Sequence, residues 1–205
     1  MNQLKTFKQI EDIIVSFGDD CNRKIKTVVL DSEFMIKGCR NGHDFAIIEL
    51  ETPIEFNANV RPICLPYLNH YIPETMTIVS FGLKNFFSKS SPLMREFKMK
   101  HDPMCEKPDS DKMPTDMPDF ICAKAFDPTD YSSPRVCHGD SGASLIQRSP
   151  DGRNTLVGEV SFGTPGCPAN ELVRFTKVDR YLNQICDLTG LCYTLNSIDT
   201  KLRSV

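Results

Sequence analysis

The sequence has 205 residues, enough for one large domain or two small ones, and 40% of them are hydrophobic. A chain of this length buries about 70% of the surface that its unfolded form exposes, so its core can stand without cross-links. The formal net charge of −3 gives no basic footprint for nucleic acid or for an anionic membrane surface. Apolar runs such as FAII and TIVSF are far too short to span a bilayer.

Runs of β-branched and aromatic residues, bounded by Gly, Asp, Asn or Pro, predict nine short strands. In chain order they cover residues 12–17, 26–30, 44–50, 76–81, 96–100, 119–123, 143–147, 155–162 and 173–178. The tetrapeptide DGRN at 151–154 is a turn signal and predicts a hairpin between the strands that flank it.

A single helix is predicted near the end of the chain, over the segment RYLNQICDL at 180–188. Asp179 is the predicted N-cap. The residues expected on the buried face are Tyr181, Leu182, Ile185 and Leu188. Many short strands followed by one terminal helix predict an all-β sandwich or barrel.

Nine cysteines are more than a cytosolic protein of this size usually carries. They form no C-x-x-C pair and have no histidine at zinc-ligand spacing, so neither a metal site nor a cofactor is expected. Scattered cysteines favour a secreted, disulfide-bonded protein. Two features do not fit a secreted, disulfide-bonded protein. The start, MNQLKTFKQIEDIIV, has no signal-peptide core, and an odd number of cysteines leaves at least one without a partner in this chain. Both would follow if an amino-terminal part were missing.

The segment RVCHGDSGASLIQ at 135–147 contains a Gly-Asp-Ser-Gly turn. Alone it is a weak signal, because such tetrapeptides also form turns in which the Ser hydroxyl bonds the nearby backbone. Three further segments accompany it along the chain. HDFAIIELETPIEFNANVRPICLP at 43–66 precedes the turn, and LVGEVSFGTPGC at 156–167 and VRFTKVDRYLNQI at 173–185 come after it. Asp44 precedes Ser141 by 97 residues, against about 93 between the Asp and Ser of the chymotrypsin triad.

Together these segments resemble the chymotrypsin/trypsin serine protease family (peptidase S1) over residues 12–188. The resemblance implies an all-β double Greek-key barrel with its site between the barrels, here with an incomplete first barrel and a C-terminal helix. The implied divisions of this one peptidase S1-like domain are 1–72, a partial first barrel; 73–190, the second barrel with the closing helix; and 191–205, a tail.

The resemblance also implies roles for individual residues. Asp44 would orient the catalytic His, Ser141 would be the nucleophile, and the backbone N–H groups of Gly139 and Ser141 would form the oxyanion hole. The alternative for Asp44 is a solvated carboxylate at the start of a strand. The implied partner is a polypeptide substrate or another protein, and no oligomeric state is indicated.

The histidine of the triad is not in its expected place. It precedes the Asp by about 45 residues in chymotrypsin, which here falls before Met1, and no Ala-Ala-His-Cys-like segment occurs. Without its base the Ser hydroxyl stays protonated and is a poor nucleophile, so the chain as written is expected to be inactive. The chain is then either an amino-terminally truncated form of a secreted protease or a non-catalytic homologue that acts as a binding or regulatory module. A β-rich protein with coincidental motifs is the third alternative.

None of the four histidines present is expected to replace the missing base. His43 adjoins Asp44, and strand alternation sends the two side chains to opposite faces. His70 and His101 stand in polar loop sequences that are typical of surface positions. His138 is expected to line the cleft or to lie on the surface.

Asp140 immediately precedes the nucleophile. In the family this Asp pairs with an amino terminus freed by cleavage, which organises the oxyanion hole, but no Arg-Ile-Val-Gly-Gly-like junction occurs in this chain. Asp140 is therefore expected to lack a partner, and an unpaired buried carboxylate is expected to rearrange its loop.

The specificity pocket departs from the trypsin pattern at Arg135, which stands where trypsin-like members carry Asp. A buried Arg there would repel basic side chains and attract an acidic one, or would fill the pocket itself. The alternative is a loop Arg whose charge reaches solvent. The other residues that the resemblance places in this pocket are His138, Ser161, Phe162, Gly163 and Val173. Val173 replaces a Gly and is expected to narrow the slot.

Two disulfide bonds follow from the resemblance, Cys105–Cys122 and Cys137–Cys167. The remaining pairs that suit the chain are Cys21–Cys39 and Cys186–Cys192. Cys64 corresponds to a cysteine that, in many members, pairs upstream of the protease domain, so it is the expected unpaired thiol.

Overall fold

The computed structural model describes residues 14–17, 21–37, 41–84, 93–105 and 118–192. Its strands are β1 (Ile14–Phe17), β2 (Cys21–Leu30), β3 (Ala46–Leu50), β4 (Thr75–Ser80), β5 (Arg95–His101), β6 (Phe120–Ala125), β7 (Ser144–Arg148), β8 (Asn154–Gly163) and β9 (Val173–Lys177). The helices are α1 (Ser32–Lys37), a 3₁₀ helix (Val178–Tyr181) and α2 (Leu182–Thr189).

Two antiparallel sheets make up the fold. Strands β1, β2 and β3 form a three-stranded sheet, and the other six close into a barrel in the order β4-β5-β6-β9-β8-β7. All nine predicted strands are present in the described residues, and the prediction of an all-β fold with a C-terminal helix is confirmed.

Alternation along the strands builds the barrel core. In β4, Met76 and Ile78 are buried while the threonines beside them are half-buried, and in β5 the same pattern buries Phe97 and Met99. A side-chain period of two sends these residues inward and the lysines of β5 outward. Fully burying a side chain of this size contributes about 1.5–3 kcal/mol, so the alternation determines which face points inward.

A second apolar cluster joins the three-stranded sheet to the C-terminal helix. Phe45 stacks on Tyr181 with ring centroids 4.3 Å apart, and Leu182 and Ile185 of α2 complete the cluster. Leu188, which the helical pattern places on the same face, is exposed in the last turn of α2.

A buried carboxylate, that of Asp119, reinforces this junction. It accepts hydrogen bonds from the backbone N–H of His43 and from the Tyr181 hydroxyl, both at 2.8 Å. Burial, followed by the negative charge of Asp119, raises the pKa of Tyr181 above its ordinary value. Gly42 permits the approach, because a Cβ at this position would lie 2.4 and 2.5 Å from the two carboxylate oxygens.

Helix α1 is not predicted by the sequence patterns. It begins after Asp31, whose Oδ1 accepts the N–H groups of Glu33 and Phe34 at 2.8 and 3.3 Å, as an N-cap does. The other carboxylate oxygen accepts a hydrogen bond from Gln184 of α2 at 2.8 Å. No residue of α1 is buried, so the helix has no apolar periodicity by which it could be recognised.

The prediction that Asp179 caps the C-terminal helix is wrong. Asp179 lies inside the 3₁₀ helix that precedes α2, and Tyr181 occupies the N-cap position without a side-chain bond. The buried Asp179 carboxylate instead accepts the backbone N–H of His70 at 3.1 Å and lies 3.2 Å from Lys177 Nζ. Asp179 does not cap α2 because it lies within the 3₁₀ helix, two residues before the N-cap residue Tyr181 at the end of that helix.

Disulfide bonds join Cys105 to Cys122, Cys137 to Cys167 and Cys186 to Cys192. These are three of the four expected pairs. The fourth, Cys21–Cys39, stays a prediction because Cys39 lies outside the described residues. Cys64 is free and exposed, and its backbone pairs with Thr155 at the edge of β8.

Both ends of the chain, residues 1–13 and 193–205, lie outside the described residues. The predicted divisions at 1–72, 73–190 and 191–205 therefore stay predictions. Each described helix is too short or too polar to cross a membrane.

We expect Asp31→Asn to lower the melting temperature at pH 7 by roughly 5 °C, because it disturbs both the α1 cap and the bond to α2. Burial alone would raise the pKa of Asp31, but hydrogen bonds from Gln184 and from the α1 backbone, with the charge of His43, outweigh it and lower the pKa below 3.8. The carboxylate's contribution to stability is present above pH 3.8 and is lost as pH falls through the lower folded value.

Thermal unfolding followed from pH 7 to pH 2 measures this effect. The difference between wild type and Asp31→Asn should shrink toward acid, while Asp187→Asn, an exposed change on α2, should have little effect throughout. An Asp31→Asn variant as stable as Asp187→Asn at pH 7 would contradict the assignment.

Candidate functional site

Ser141 is exposed in a turn that leads into strand β7. We call residues 137–143 the nucleophile turn. Two glycines of this turn, Gly139 and Gly142, have φ values of 86° and 76°, which glycine adopts without the strain of a Cβ. The N–H of Gly142 donates to the carbonyl of Val160 in β8 at 2.9 Å. These features hold Ser141 at the surface of the barrel.

The backbone N–H groups of Gly139 and Ser141 find no acceptor in the part of the chain that the structure describes. Unpaired N–H groups beside an exposed hydroxyl are the donors that stabilise a developing oxyanion. The intervening N–H, that of Asp140, is taken by the carbonyl of Cys137 at 3.1 Å. The two free donors are thus available to an anionic oxygen from outside the chain.

The structure contradicts the expectation that Asp140 lacks a partner. Its carboxylate is fully buried. One oxygen lies 2.9 Å from Arg95 Nη2 and accepts the N–H of Cys137 at 2.9 Å, and the other accepts the N–H of Gly82 at 2.7 Å. The expectation was wrong because it considered only a freed amino terminus as the counter-ion. A cation from strand β5 compensates the charge, so no rearrangement of the turn is required.

Asp44 lies half-buried just before strand β3 and is bound to the barrel. Its Oδ2 accepts the hydroxyl of Ser161 in β8 at 2.7 Å, and its backbone carbonyl accepts the hydroxyl of Thr176 in β9 at 2.8 Å. Burial, and then the negative charge of Asp44, raises the pKa of Glu159 above its ordinary value of 4.5. The two hydrogen bonds of Asp44 join the segment before β3 to two strands of the barrel.

A pocket of about 280 Å³ lies beside the nucleophile turn. It contains all the residues predicted for the specificity pocket, together with Gly139 and Ser141. These residues are Arg135, His138, Ser161, Phe162, Gly163 and Val173. The fold therefore brings together residues of the nucleophile turn, of β8 and of the start of β9.

Arg135 is buried in the wall of this pocket, and backbone carbonyls hold its guanidinium in place. Its Nη1 donates to the carbonyls of Tyr131 and Ser133 at 2.7 and 3.1 Å, and its Nε donates to the carbonyl of Cys167. The hydrogen-bond partners of this guanidinium among the described residues are these three backbone carbonyls, and none of them is an acidic side chain. The pocket lining thus carries the positive charge of Arg135 and also the carboxylate of Glu171, whose Oε2 accepts the hydroxyl of Thr164 at 3.4 Å.

The four histidines occupy separate places. His43 Nδ1 lies 3.5 Å from Asp31 Oδ1, and His70 Nε2 lies 2.8 Å from a side-chain oxygen of β7. His101 lines a different pocket, where burial lowers its pKa below its ordinary value. His138 is exposed and lines the pocket beside the nucleophile turn. In the described part of the chain, no group of three His, Cys, Asp or Glu side chains is placed to hold a metal ion.

Sequence reasoning missed Arg95 and the contact between Ser161 and Asp44. Arg95 is the first residue of β5 and pairs in register with Ser80, the last residue of β4. No local pattern marks it, because its position opposite the nucleophile turn depends on the register between two strands. Ser161 was assigned only to the pocket, although a Ser in the cleft strand is a signal for a hydroxyl donor near Asp44.

Comparisons with known proteins agree on one family. Residues 7–185 match the family model described as Trypsin. The chain is 26% identical over 195 residues to transmembrane protease serine 11A of Homo sapiens, covering 90% of this chain and 45% of that protein. It is 30% identical over 156 residues to the proclotting enzyme of Tachypleus tridentatus, covering 71% of this chain and 39% of that protein. The chain spans less than half the length of these curated relatives.

We expect Glu159→Gln to raise the melting temperature at pH 7 by a few degrees, because burial and Asp44 disfavour the charged form in the folded state. A folded pKa above the unfolded one means that the carboxylate destabilises the fold at high pH. This penalty disappears as pH falls to the unfolded value of 4.5.

Thermal unfolding of both proteins from pH 8 to pH 4 checks the sign. The higher melting temperature of Glu159→Gln should be present at pH 8 and absent near pH 4. The matched control is Glu51→Gln at an exposed position, which should change little. A Glu159→Gln variant that is no more stable than Glu51→Gln at pH 7 would show that Glu159 carries no electrostatic strain.

Proposed function

The chain belongs to the trypsin family of serine proteases, and from that membership we propose that these 205 residues bind a polypeptide segment beside Ser141 without cleaving it. The observation that supports this most is the placement of the histidines. His43 and His70 are engaged with other side chains, and His101 lines a different pocket. His138 we assign to the wall of the binding pocket.

The chemistry of the family explains why a missing base abolishes cleavage. In the triad, a His takes the proton of the Ser hydroxyl as it attacks the peptide carbonyl and later gives that proton to the leaving amine. A Ser without this base stays protonated and is a weak nucleophile. Loss of the His in a comparable triad lowers turnover by a factor on the order of 10⁶.

The binding half of the site supports the other part of the proposal. The free N–H groups of Gly139 and Ser141 stand ready for a carbonyl oxygen, and the adjoining pocket of about 280 Å³ has room for one side chain. A polypeptide bound there would present a carbonyl to the turn and a side chain to the pocket. The chain would then act as a non-catalytic binding or regulatory module.

A second function, peptide-bond hydrolysis by a longer protein, is favoured by a specific observation. Asp44 is held by Ser161, and Asp140 is compensated by Arg95, so the orienting carboxylate and the nucleophile turn are both supported. A His supplied by sequence outside these 205 residues would complete the triad. Upstream coding sequence with a signal peptide and an Ala-Ala-His-Cys-like segment would decide for this second function.

The fixed guanidinium of Arg135, which is bonded to backbone carbonyls and not to the Glu171 carboxylate of the same pocket, supports a preference for acidic side chains. Its Nη2 makes no hydrogen bond among the described residues, while Nε and Nη1 hold the guanidinium against the backbone. A Glu or Asp carboxylate is the ligand that a fixed guanidinium binds best. A Lys or Arg side chain would be repelled, which is the reverse of trypsin-like specificity.

An oxidising compartment is the proposed location. Three disulfide bonds in the described residues support secretion, because such bonds persist outside the cytosol.

We expect a fluorophosphonate probe to leave the purified 205-residue chain unlabelled, because such probes react with a Ser that a neighbouring base activates. In-gel fluorescence and intact mass measure the labelling, with Ser141→Ala as the blank and an active trypsin-family protease as the positive control. Labelling of the chain above the Ser141→Ala blank would overturn the proposal that it is inactive.

We expect the pocket to bind a blocked peptide with Glu at its central position at least about tenfold more tightly than the same peptide with Lys, since charge-assisted pairs with Arg are strong. Fluorescence anisotropy gives both dissociation constants. Arg135→Gln should remove the preference, and Arg148→Gln, at an exposed position on β7, should keep it. Equal or tighter binding of the Lys peptide to the wild-type chain would contradict the assignment.

A further inference from the structure

We propose that Arg95 is a positioning residue: it serves as the built-in counter-ion of Asp140 and holds the nucleophile turn in its binding arrangement without a freed amino terminus. The inference rests on the proposed oxyanion role of the Gly139 and Ser141 N–H groups. It concerns how the turn acquires its shape and does not depend on whether Ser141 reacts.

The contacts of the buried carboxylate carry the argument. Asp140 is fully buried, and Arg95 Nη2 lies 2.9 Å from its Oδ2. The same oxygen accepts the N–H of Cys137 at 2.9 Å, and Oδ1 accepts the N–H of Gly82 at 2.7 Å. Arg95 is the cation of this group, so it supplies the compensation that two neutral N–H groups cannot.

Strand pairing delivers the guanidinium to this position. Arg95 opens β5 directly opposite Ser80, the last residue of β4, and its Nη2 also lies 3.4 Å from the Ser80 hydroxyl. The guanidinium carbon stands 4.9 Å from the centre of the Phe97 ring, two residues along the same strand. This stacking restrains the guanidinium on the side facing Asp140. The side chain of Arg95 is only 17% exposed, so solvent screens the pair weakly.

The segment after β4 is shaped to receive the turn. A Cβ at Gly82 would lie 2.2 Å from Asp140 Oδ1, so only glycine fits there. The next residue, Leu83, donates its N–H to the carbonyl of His138 at 2.9 Å. The turn is thus clamped at His138 and at Asp140, on either side of the Gly139 N–H.

Asp140 stands between the two proposed oxyanion donors, so its position sets theirs. Removing the cation would leave a buried carboxylate with neutral donors alone, which is strongly destabilising. The cheapest relief is for Asp140 to swing toward water, which would carry the N–H groups of Gly139 and Ser141 with it. Among the described residues the cation beside Asp140 is Arg95, so the proposed arrangement requires no freed amino terminus.

Hydrogen–deuterium exchange of the full chain tests the role of Arg95. In Arg95→Met, the hydrogen-bonded amides of the nucleophile turn, those of Cys137, Asp140, Gly142 and Ala143, should exchange at least about tenfold faster than in wild type, while those of β6 and β9 should not change. The matched control is Lys98→Met, an exposed change on the same strand, which should leave the turn unchanged. Arg95→Lys keeps the charge and should keep most of the protection. If Arg95→Met does not fold, Arg95→Gln provides the neutral variant.

Two further measurements separate the pair from a general loss of stability. Arg95→Met and Asp140→Asn should each lower the melting temperature by roughly 10 °C, and the double variant should lose clearly less than their sum. Acetylating the amino terminus should leave hydrogen exchange in the turn unchanged. If the turn needed a free amine, acetylation would make its amides exchange faster.

The proposal is overturned if the turn exchanges in the neutral Arg95 variant as it does in wild type. It is also overturned if the two single variants are additive, or if acetylation accelerates exchange in the turn. These readouts do not involve reaction at Ser141. Labelling by the fluorophosphonate probe would therefore remove the proposed function and leave the role of Arg95 standing. Unchanged exchange of the turn in the neutral Arg95 variant would remove the role of Arg95 and leave the proposed function standing.

Discussion

The burial of one carboxylate, that of Asp140, constrains much of the structure around Ser141. A fully buried charge must have donors and a cation close by, and these come from three places along the chain. Gly82 follows β4, Arg95 opens β5, and Cys137 begins the nucleophile turn and is tied by its disulfide to Cys167. Pairing of β4 with β5 therefore decides the shape of a turn that lies more than forty residues further along the chain.

The same principle connects the three-stranded sheet to the barrel. Asp31, Asp44 and Asp119 each accept a hydrogen bond from an element distant in sequence, and each lies at or near the junction between the sheet and the rest of the fold. In the described part of the chain, the buried apolar cluster at this junction is a small one around Phe45 and Tyr181. Hydrogen-bonded carboxylates thus fix how the sheet sits on the barrel where the apolar interface is small.

Runs of β-branched and aromatic residues bounded by Gly, Asp, Asn or Pro were enough to find the strands. β4 and β5 alternate because one face lines the core and the other meets water, and that alternation is written into the sequence. Elements without such a pattern were missed or misplaced. Helix α1 buries no side chain and begins at the cap of Asp31. Asp179 lies inside the 3₁₀ helix, where its Oδ2 accepts the backbone N–H of His70. Polar contacts, local at Asp31 and long-range at Asp179, are not visible in the hydrophobic periodicity of the sequence.

The amino-acid sequence by itself determined the all-β fold, the family and the residues that gather around the pocket. These follow from runs of strand-forming residues between turn residues and from ordered motifs, which need no knowledge of contacts. Only the tertiary structure decided the partner of Asp140, the bond from Ser161 to Asp44 and the anchoring of Arg135 on backbone carbonyls. Each of these depends on strand register and chain crossing, because a buried charge takes whichever donor the fold brings within 3 Å, whatever its distance along the chain.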